Sequence, residues 1–143
     1  MGIQLHFLGT SSGLPTKTRR NQTIVLEIDT AEAKQHYLID PADGASSFLA
    51  ADLGHEHLAG VFISHMHVDH FSGVFQVIKT AWHLGRTEPL PIYLPEEGIP
   101  LIRSVLEHAK YGSSRSLKTV NADHRIRFMP ITKYGSSRSP TTA

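Results

Sequence analysis

The sequence predicts a fold of the α/β (α+β) class, and three observations support this prediction. Short apolar or alternating runs typical of β-strands occur along the chain. Two longer segments repeat apolar residues at intervals of three and four, which is the periodicity of a helix face. A dense group of histidines lies between a strand-like run and a helix-like run, where α/β proteins commonly place their chemistry.

Composition bounds the possible functions. The chain has 143 residues, enough for one domain at most. Its net charge of +1 gives no overall field that would attract nucleic acid or membranes. Because cysteine is absent, disulfides and thiolate ligands are excluded, and any metal ion must be bound by histidines and carboxylates. No signal peptide or membrane-spanning run is visible, so we expect a cytoplasmic protein that does not enter a membrane.

The first forty residues predict three strands. Residues 3–8 alternate between apolar and polar before ending apolar, residues 22–28 are rich in β-branched side chains, and residues 36–39 form a short third run. Small, turn-forming residues at 9–13 end the first strand. We predict that the three strands form an antiparallel meander.

The segment before the histidine group predicts a short helix and a buried strand. Residues 46–53 carry apolar side chains at helical spacing, and residues 58–63 form a continuous apolar run. His55 and His57 lie in the polar segment between these elements and have no obvious partner, so we interpret them as surface residues.

The remaining elements follow the same alternation. We predict a helix after residue 73, a short strand at residues 91–95, a helix at residues 96–111 and a strand at residues 125–131. His83 and His108 lie towards the ends of the two helices, and we interpret them as structural and surface residues. The apolar faces of the helices comprise Val74, Val77, Ile78, Ala81 and Trp82 in the first and Ile99, Ile102, Val105 and Leu106 in the second.

The histidine group has the spacing of a metal site. His65 and His67 are two residues apart, so at an extended strand end their imidazoles point the same way and can bind one cation. Asp69 and His70 lie just past the bend and can bind a second. Neutral imidazole and carboxylate suit Zn²⁺ and similar ions, at about 2.0–2.2 Å. The alternative is a polar loop of solvated histidines, which the density of ligand-type residues disfavours.

Three stretches carry a resemblance to a known family. His65-x-His67-x-Asp69-His70 resembles the signature of the metallo-β-lactamase fold superfamily, and residues 7–15 resemble the opening of its ribonuclease Z branch. Residues 17–21 are similar to a Pro-x-Lys-x-Arg-Asn loop of some tRNA 3′-processing members, with one additional arginine. The resemblance implies a four-layer αββα sandwich that binds one or two Zn²⁺ ions, with Mn²⁺ as an alternative.

The resemblance also implies roles for single residues. Asp69 would be catalytic as well as a metal ligand, and Asp40 would orient the histidine loop without binding metal, the less favoured alternative being a turn carboxylate before a proline. Lys17, Arg19 and Arg20 would bind the substrate phosphate, the alternative being a solvated loop. The implied activity is that of a phosphodiesterase or endonuclease acting on tRNA 3′ ends.

The sequence departs from the family after the histidine group. The family supplies a further His, a bridging Asp and a last His, but here the first of these positions falls near Lys133, and His124 is the nearest alternative. Residues 110–116 recur identically at 133–139. We therefore expect an incomplete sandwich, with residues 3–131 forming its first ββα half and residues 132–143 a disordered tail. Its partner would be a second copy of the chain or a missing second half, because one half alone would expose an apolar sheet face.

The sequence leaves three alternative functions open. A non-catalytic remnant would retain partial metal binding without the ligands for turnover. A related hydrolase would act on another substrate, such as a sulfate ester or a cyclic nucleotide. A plain nucleic-acid-binding module is the weakest of the three, because only the loop from Lys17 to Arg20 is basic and no aromatic platform accompanies it.

Overall fold

The structure, a computed structural model, describes residues 1–109 and 126–131 and contains a six-stranded mixed sheet. The strands lie in the sheet in the order in which they occur in the chain. The first three, β1 (Gly2–Gly9), β2 (Thr23–Asp29) and β3 (Lys34–Ile39), are antiparallel neighbours. The predicted antiparallel meander is therefore confirmed.

Parallel pairing continues the sheet beyond β3. The strand β4 (Leu58–Phe62) lies beside β3, β5 (Leu90–Pro95) lies beside β4, and β6 (Ile126–Ile131) lies beside β5, each parallel to its neighbour. Parallel neighbours are joined by crossovers, and right-handed crossovers that advance in one direction place their helices on the same face of the sheet.

The helices lie in these crossovers. The helix α1 (Ala45–Phe48) continues into a π-helical turn (Leu49–Leu53) before β4. After β4 come α2 (Val68–Phe71) and α3 (Val74–His83), and after β5 a 3₁₀ turn leads into α4 (Ile99–His108). Each predicted helix is present, although the second half of the first one is π-helical. No helix of the described ranges is both long and apolar enough to cross a membrane.

Several predictions concern residues outside the described ranges. They include the repeated segments at 110–116 and 133–139, the end of the last predicted helix, the candidate ligand His124, Lys133 and the tail at 132–143.

The hydrophobic core lies between the sheet and the helices. The apolar stripe predicted for α3 is buried at Val74, Val77 and Ala81. On α4, Ile102 and Leu106 are buried, but Val105, which was predicted to share their face, is 38% exposed. Residues 102 and 106 are four apart and align towards the sheet, whereas residue 105 lies at the margin of their stripe. The sheet contributes Val25, Leu38, Val61, Ile92 and Leu94.

The opposite face of the sheet is apolar and exposed at its β1 edge. Ile3, Leu5 and Phe7 on β1 are 70%, 55% and 62% exposed. We call the apolar residues of this side the outer sheet face; its other members are Ile24, Leu26, Ile28, Tyr37, Ile39, Phe62, Tyr93, Met129 and Ile131. At its centre the rings of Phe62 and Tyr93 stack with their centroids 4.4 Å apart. The structure thus has the exposed apolar sheet face that the sequence led us to expect.

Candidate metal site

The candidate site lies where two parallel strands end. Asp40 directly follows β3, and Ser64 comes two residues after the end of β4. The backbone N–H of Asp40 donates to the carbonyl of Phe62 at 2.8 Å, and that of Ile63 donates to Tyr93 on β5 at 2.8 Å. The sheet pairing thus extends to the base of the site and fixes the two strand ends side by side. Carboxyl ends of parallel strands are the usual position of ligand sites in α/β proteins.

The imidazoles of His65 and His67 lie beside each other, as their spacing predicts, although the chain bends at His65. Met66, between them, turns back to pack against Gly98 and the core. The Nε2 atom of His65 and the Nδ1 atom of His67 are 2.9 Å apart. Two nitrogens bound to one tetrahedral zinc ion at about 2.0–2.1 Å are separated by about 3.3 Å. The two imidazoles therefore converge closely enough to share one cation.

Asp69 and His70 form a second converging pair, but on a helix rather than on a loop. We predicted that they follow a bend, whereas the structure places them within α2, where the N–H of His70 donates to the carbonyl of His67 at 2.9 Å. The Oδ2 atom of Asp69 and the Nε2 atom of His70 are 3.5 Å apart. A four-residue helix has too few apolar positions to show its period, which is why the sequence did not predict it.

The two pairs are neighbours. The rings of His65 and His70 are 4.1 Å apart between centroids, and those of His65 and His67 are 4.6 Å apart. Across residues 1–109 and 126–131, no group of three or more His, Asp or Glu side chains is arranged to hold a metal ion. The structure therefore brings the two pairs side by side, but within the described residues it does not assemble three donors around one point.

The buried carboxylate of Asp40 contacts both Ser64 and His70. Asp40 is 4% exposed, and its Oδ1 accepts the backbone N–H of Ser64 at 2.7 Å. Its Oδ2 lies 2.7 Å from the Ser64 hydroxyl and 3.0 Å from Nδ1 of His70. Asp40 has a φ of 49°, a left-handed conformation that Asp tolerates better than most residues. The contact of Asp40 with the histidine segment is the one expected from the resemblance, whereas Ser64 was not predicted.

The three cations of the loop at residues 17–21 have different surroundings. The turn at residues 9–13, which precedes this loop, approaches the site, because a methyl group on Gly13 would lie 3.4 Å from Oδ2 of Asp69. Lys17 and Arg19 are exposed, and their side chains make no hydrogen bond or ion pair to the residues that the structure describes. Arg20 instead donates from Nη1 to the hydroxyl of Ser47 on α1 at 3.0 Å. Of the three, Lys17 and Arg19 present uncommitted charge to solvent.

The other predicted non-ligand histidines lie apart from this group. The Nδ1 atoms of His83 and His108 each lie 2.8 Å from the carbonyl oxygen four residues earlier, so both imidazoles cap the ends of their helices. His55 and His57 lie 3.3 and 3.8 Å from the carboxylate of Glu56 between them, and the ring of His57 also meets that of His36 edge-on.

Comparisons with known proteins agree with the fold and the motif. A family model described as anti-Pycsar protein Apyc1 matches residues 3–132. A ribonuclease Z of Methanosarcina mazei is 36% identical over 95 residues, which are 66% of this chain and 30% of that protein. The metallo-β-lactamase fold protein YhfI from Bacillus subtilis has a TM-score of 0.65 at 16% identity, covering 92% of this chain and 47% of that one. The short form of human tRNase Z has a TM-score of 0.59 at 23% identity, covering 87% and 49%.

The fold is therefore that of the metallo-β-lactamase proteins, and the sequence is similar to that of ribonuclease Z, which confirms the resemblance found in the sequence. The chain belongs to the family described as anti-Pycsar protein Apyc1, whose model matches more than half of the chain. The chain spans 29–38% of the length of the curated ribonucleases Z that it matches.

Proposed function

We propose that this chain forms part of a metal-dependent phosphodiesterase of the ribonuclease Z type. His65 and His67 would bind one cation, and Asp69 and His70 would bind a second. The observation that carries the proposal is the convergence of these two pairs, at 2.9 and 3.5 Å, at the carboxyl end of β4. The ribonuclease Z names of its curated relatives support the same reaction class.

The donor set suits Zn²⁺, with Mn²⁺ as the alternative, because imidazole and carboxylate are the available ligands in a chain without cysteine. When bound, such a cation supplies Lewis acidity and lowers the pKa of a water molecule towards neutrality. Asp69 contributes a negatively charged carboxylate to its pair with His70. Its side chain is 25% exposed, so a substrate arriving from solvent can reach it. This placement supports its role as a catalytic residue.

The proposed substrate is an RNA phosphodiester, most simply the 3′ end of a tRNA precursor. One of the related solved structures is named tRNase Z. Lys17 and Arg19 are the proposed phosphate-binding groups, because they carry exposed charge a few residues after Gly13, which lies close to Asp69. The contact of Arg20 with Ser47 favours a role in fixing that loop to α1.

The number of donors limits the activity of the chain by itself. Catalytic zinc sites commonly have three protein ligands, and the described residues offer two for each position. We therefore expect weak metal binding and slow turnover unless another copy or further polypeptide completes each position.

The test compares metal content and hydrolysis in matched variants. The double variant His65→Ala, His67→Ala should lose metal, measured by mass spectrometry after dialysis against limiting Zn²⁺. The variant His83→Ala, His108→Ala removes two imidazoles outside the site and should keep the wild-type content. Hydrolysis of bis-p-nitrophenyl phosphate, a tRNA precursor with a 3′ trailer, and a cyclic nucleotide should then be compared with added Zn²⁺ or Mn²⁺.

The outcomes separate the alternatives. Metal-dependent cleavage of the tRNA precursor that disappears in His67→Ala supports the proposal. Faster hydrolysis of the cyclic nucleotide than of the tRNA precursor would contradict the proposed RNA substrate and favour a cyclic nucleotide instead. Bound metal without any hydrolysis, even in concentrated protein, indicates a non-catalytic remnant. Equal metal content in the two double variants contradicts the site.

A further inference from the structure

Three side chains at the base of the site form a continuous hydrogen-bonded chain. The Oδ2 atom of Asp40 is 2.7 Å from Oγ of Ser64, and Oγ of Ser64 is 2.9 Å from Nδ1 of His65. The same Oδ2 atom lies 3.0 Å from Nδ1 of His70. One buried carboxylate oxygen is thus connected to a histidine of each pair, directly to His70 and through a hydroxyl to His65.

The direction of each hydrogen bond follows from the donors available. A carboxylate has only acceptor atoms, so the Ser64 hydroxyl and Nδ1 of His70 must both donate to Asp40. Since the single proton of the hydroxyl is used in this way, Oγ of Ser64 can only accept from His65. Nδ1 of His65 therefore carries a proton. In a neutral imidazole, a proton on Nδ1 leaves a lone pair on Nε2.

The lone pairs fixed in this way point towards the two candidate cation positions. Nε2 of His65 faces Nδ1 of His67 at 2.9 Å, and Nε2 of His70 faces Oδ2 of Asp69 at 3.5 Å. Histidines that bind metals commonly donate their other N–H to a carboxylate or carbonyl, which fixes both the tautomer and the ring orientation. Here Asp40 accepts directly from His70, and the hydroxyl of Ser64 links the same carboxylate to His65.

We propose that Ser64 is a positioning residue that relays the Asp40 carboxylate to His65, so that one buried aspartate sets the tautomers of both donor pairs. This inference rests on the proposed function for its purpose, but the relay itself is a property of the metal-free chain. It predicts an asymmetry: removing the Ser64 hydroxyl should affect His65 alone, whereas changing Asp40 should affect both His65 and His70.

The variants Ser64→Ala, Ser64→Thr and Asp40→Asn distinguish these effects. Ser64→Ala retains the backbone N–H that bonds Oδ1 of Asp40, so the contact between Asp40 and His70 should survive. Ser64→Thr restores a hydroxyl, and Ser104→Ala removes one from an exposed position of α4 as a control.

The first readout is the tautomer of each histidine in the metal-free protein, from long-range ¹H–¹⁵N correlation spectra at a pH where the imidazoles are neutral. Wild type, Ser64→Thr and Ser104→Ala should show His65 with its proton on Nδ1. Ser64→Ala should lose that preference at His65 and keep it at His70. Asp40→Asn should lose it at both.

The second readout is the affinity for Zn²⁺ in a competition with a chelator. Loss of a partner that orients a metal-bound histidine commonly costs about 10-fold to 100-fold in affinity. Ser64→Ala should weaken one bound ion by this factor, and Ser64→Thr should recover most of it.

Retention of the Nδ1 proton of His65 in Ser64→Ala would overturn the relay, as would equal tautomer changes at His65 and His70 in that variant. If the wild-type protein binds no metal while the tautomers respond as expected, the proposed function fails and the relay stands. The two ideas are therefore tested separately.

Discussion

At the scale of single residues, three basic side chains surround the carboxylate of Glu27, outside the candidate site. Its Oε1 atom accepts a hydrogen bond from Nζ of Lys34 at 2.9 Å, and its Oε2 atom lies 2.9 Å from Nε2 of His36 and 3.6 Å from Nε2 of His6. The hydrogen bond from Lys34, followed by that from His36, lowers the pKa of Glu27 from 4.5 to about 2. A carboxylate with this pKa stays charged at any pH at which the protein is expected to function.

The lowered pKa of Glu27 makes stability depend on pH. A carboxyl group whose pKa is lower in the folded state contributes stability that is fully present above its unfolded pKa and disappears as the pH falls through the folded value. The free energy of unfolding of Glu27→Gln should therefore lie below that of wild type above about pH 4.5, and the gap should close as the pH approaches 2. Urea denaturation across this range measures it.

Glu32→Gln is the matched control for Glu27→Gln. Glu32 is exposed in the turn between β2 and β3, and only its backbone N–H takes part in a hydrogen bond there, with Thr30. Its substitution should leave the free energy of unfolding nearly unchanged. A gap for Glu27→Gln that stays constant with pH would show that its contacts contribute no stability linked to protonation.

Ser64 and Glu27 also show where sequence reasoning ended at this scale. The spacing of His65, His67, Asp69 and His70 was sufficient to predict two pairs, because side-chain direction in extended and helical chain follows from local geometry. Ser64 gave a weaker signal, a hydroxyl directly before the motif, and its partner lies 24 residues away. The contact between Glu27 and His36 depends on the register of β2 and β3, which the sequence does not specify.

At the scale of elements, the junction between α2 and α3 is set by the close approach of Gly73 to the turn after β3. The N–H of Gly73 donates to the carbonyl of Pro41 at 2.9 Å, and a Cβ atom at this position would lie 1.9 Å from the carbonyl oxygen of Ala42. This contact holds the helix carrying Asp69 and His70 against the turn carrying Asp40. The sequence suggested a turn here but not the backbone that it packs against.

Gly73→Ala should therefore destabilise the protein and loosen the site. Forcing a methyl group into packed backbone typically costs about 1–3 kcal/mol, and separation of the turn from α2 would lengthen the contact between Asp40 and His70. The free energy of unfolding from urea denaturation measures the first effect, and the His70 tautomer measures the second. Gly2→Ala is the control, because no atom lies within 4 Å of its Cβ position. Equal denaturation midpoints for the two variants would contradict this explanation.

The element boundaries were largely predictable, and the exceptions have physical causes. Strands β1 to β6 and the three longer helical segments all appear near their predicted positions. The exposure of Val105 was missed because this residue lies at the margin of the buried stripe of α4. The helical placement of Asp69 was missed because the four residues of α2 are too few to show a period.

At the scale of the whole molecule, we expect the outer sheet face to promote self-association at high concentration. Among the described strands β1 is an edge with exposed apolar side chains, and such edges pair readily with other chains. Leu5→Lys should therefore reduce self-association in sedimentation experiments over a range of protein concentrations. Gln4→Lys adds the same charge to the opposite side of β1 and should have a much smaller effect. A wild-type protein that stays monomeric at all concentrations would contradict this expectation.

The sheet order has a further consequence, for the way in which the chain folds as it is synthesised. Because the strands are arranged in the order of the sequence, each new strand emerges from the ribosome when its only earlier neighbour is already present. The antiparallel meander needs only short loop closures, and each later parallel strand adds to an existing edge rather than inserting between two strands. Assembly can therefore proceed from the amino terminus one strand at a time, and the base of the histidine segment is completed when β5 pairs with Ile63.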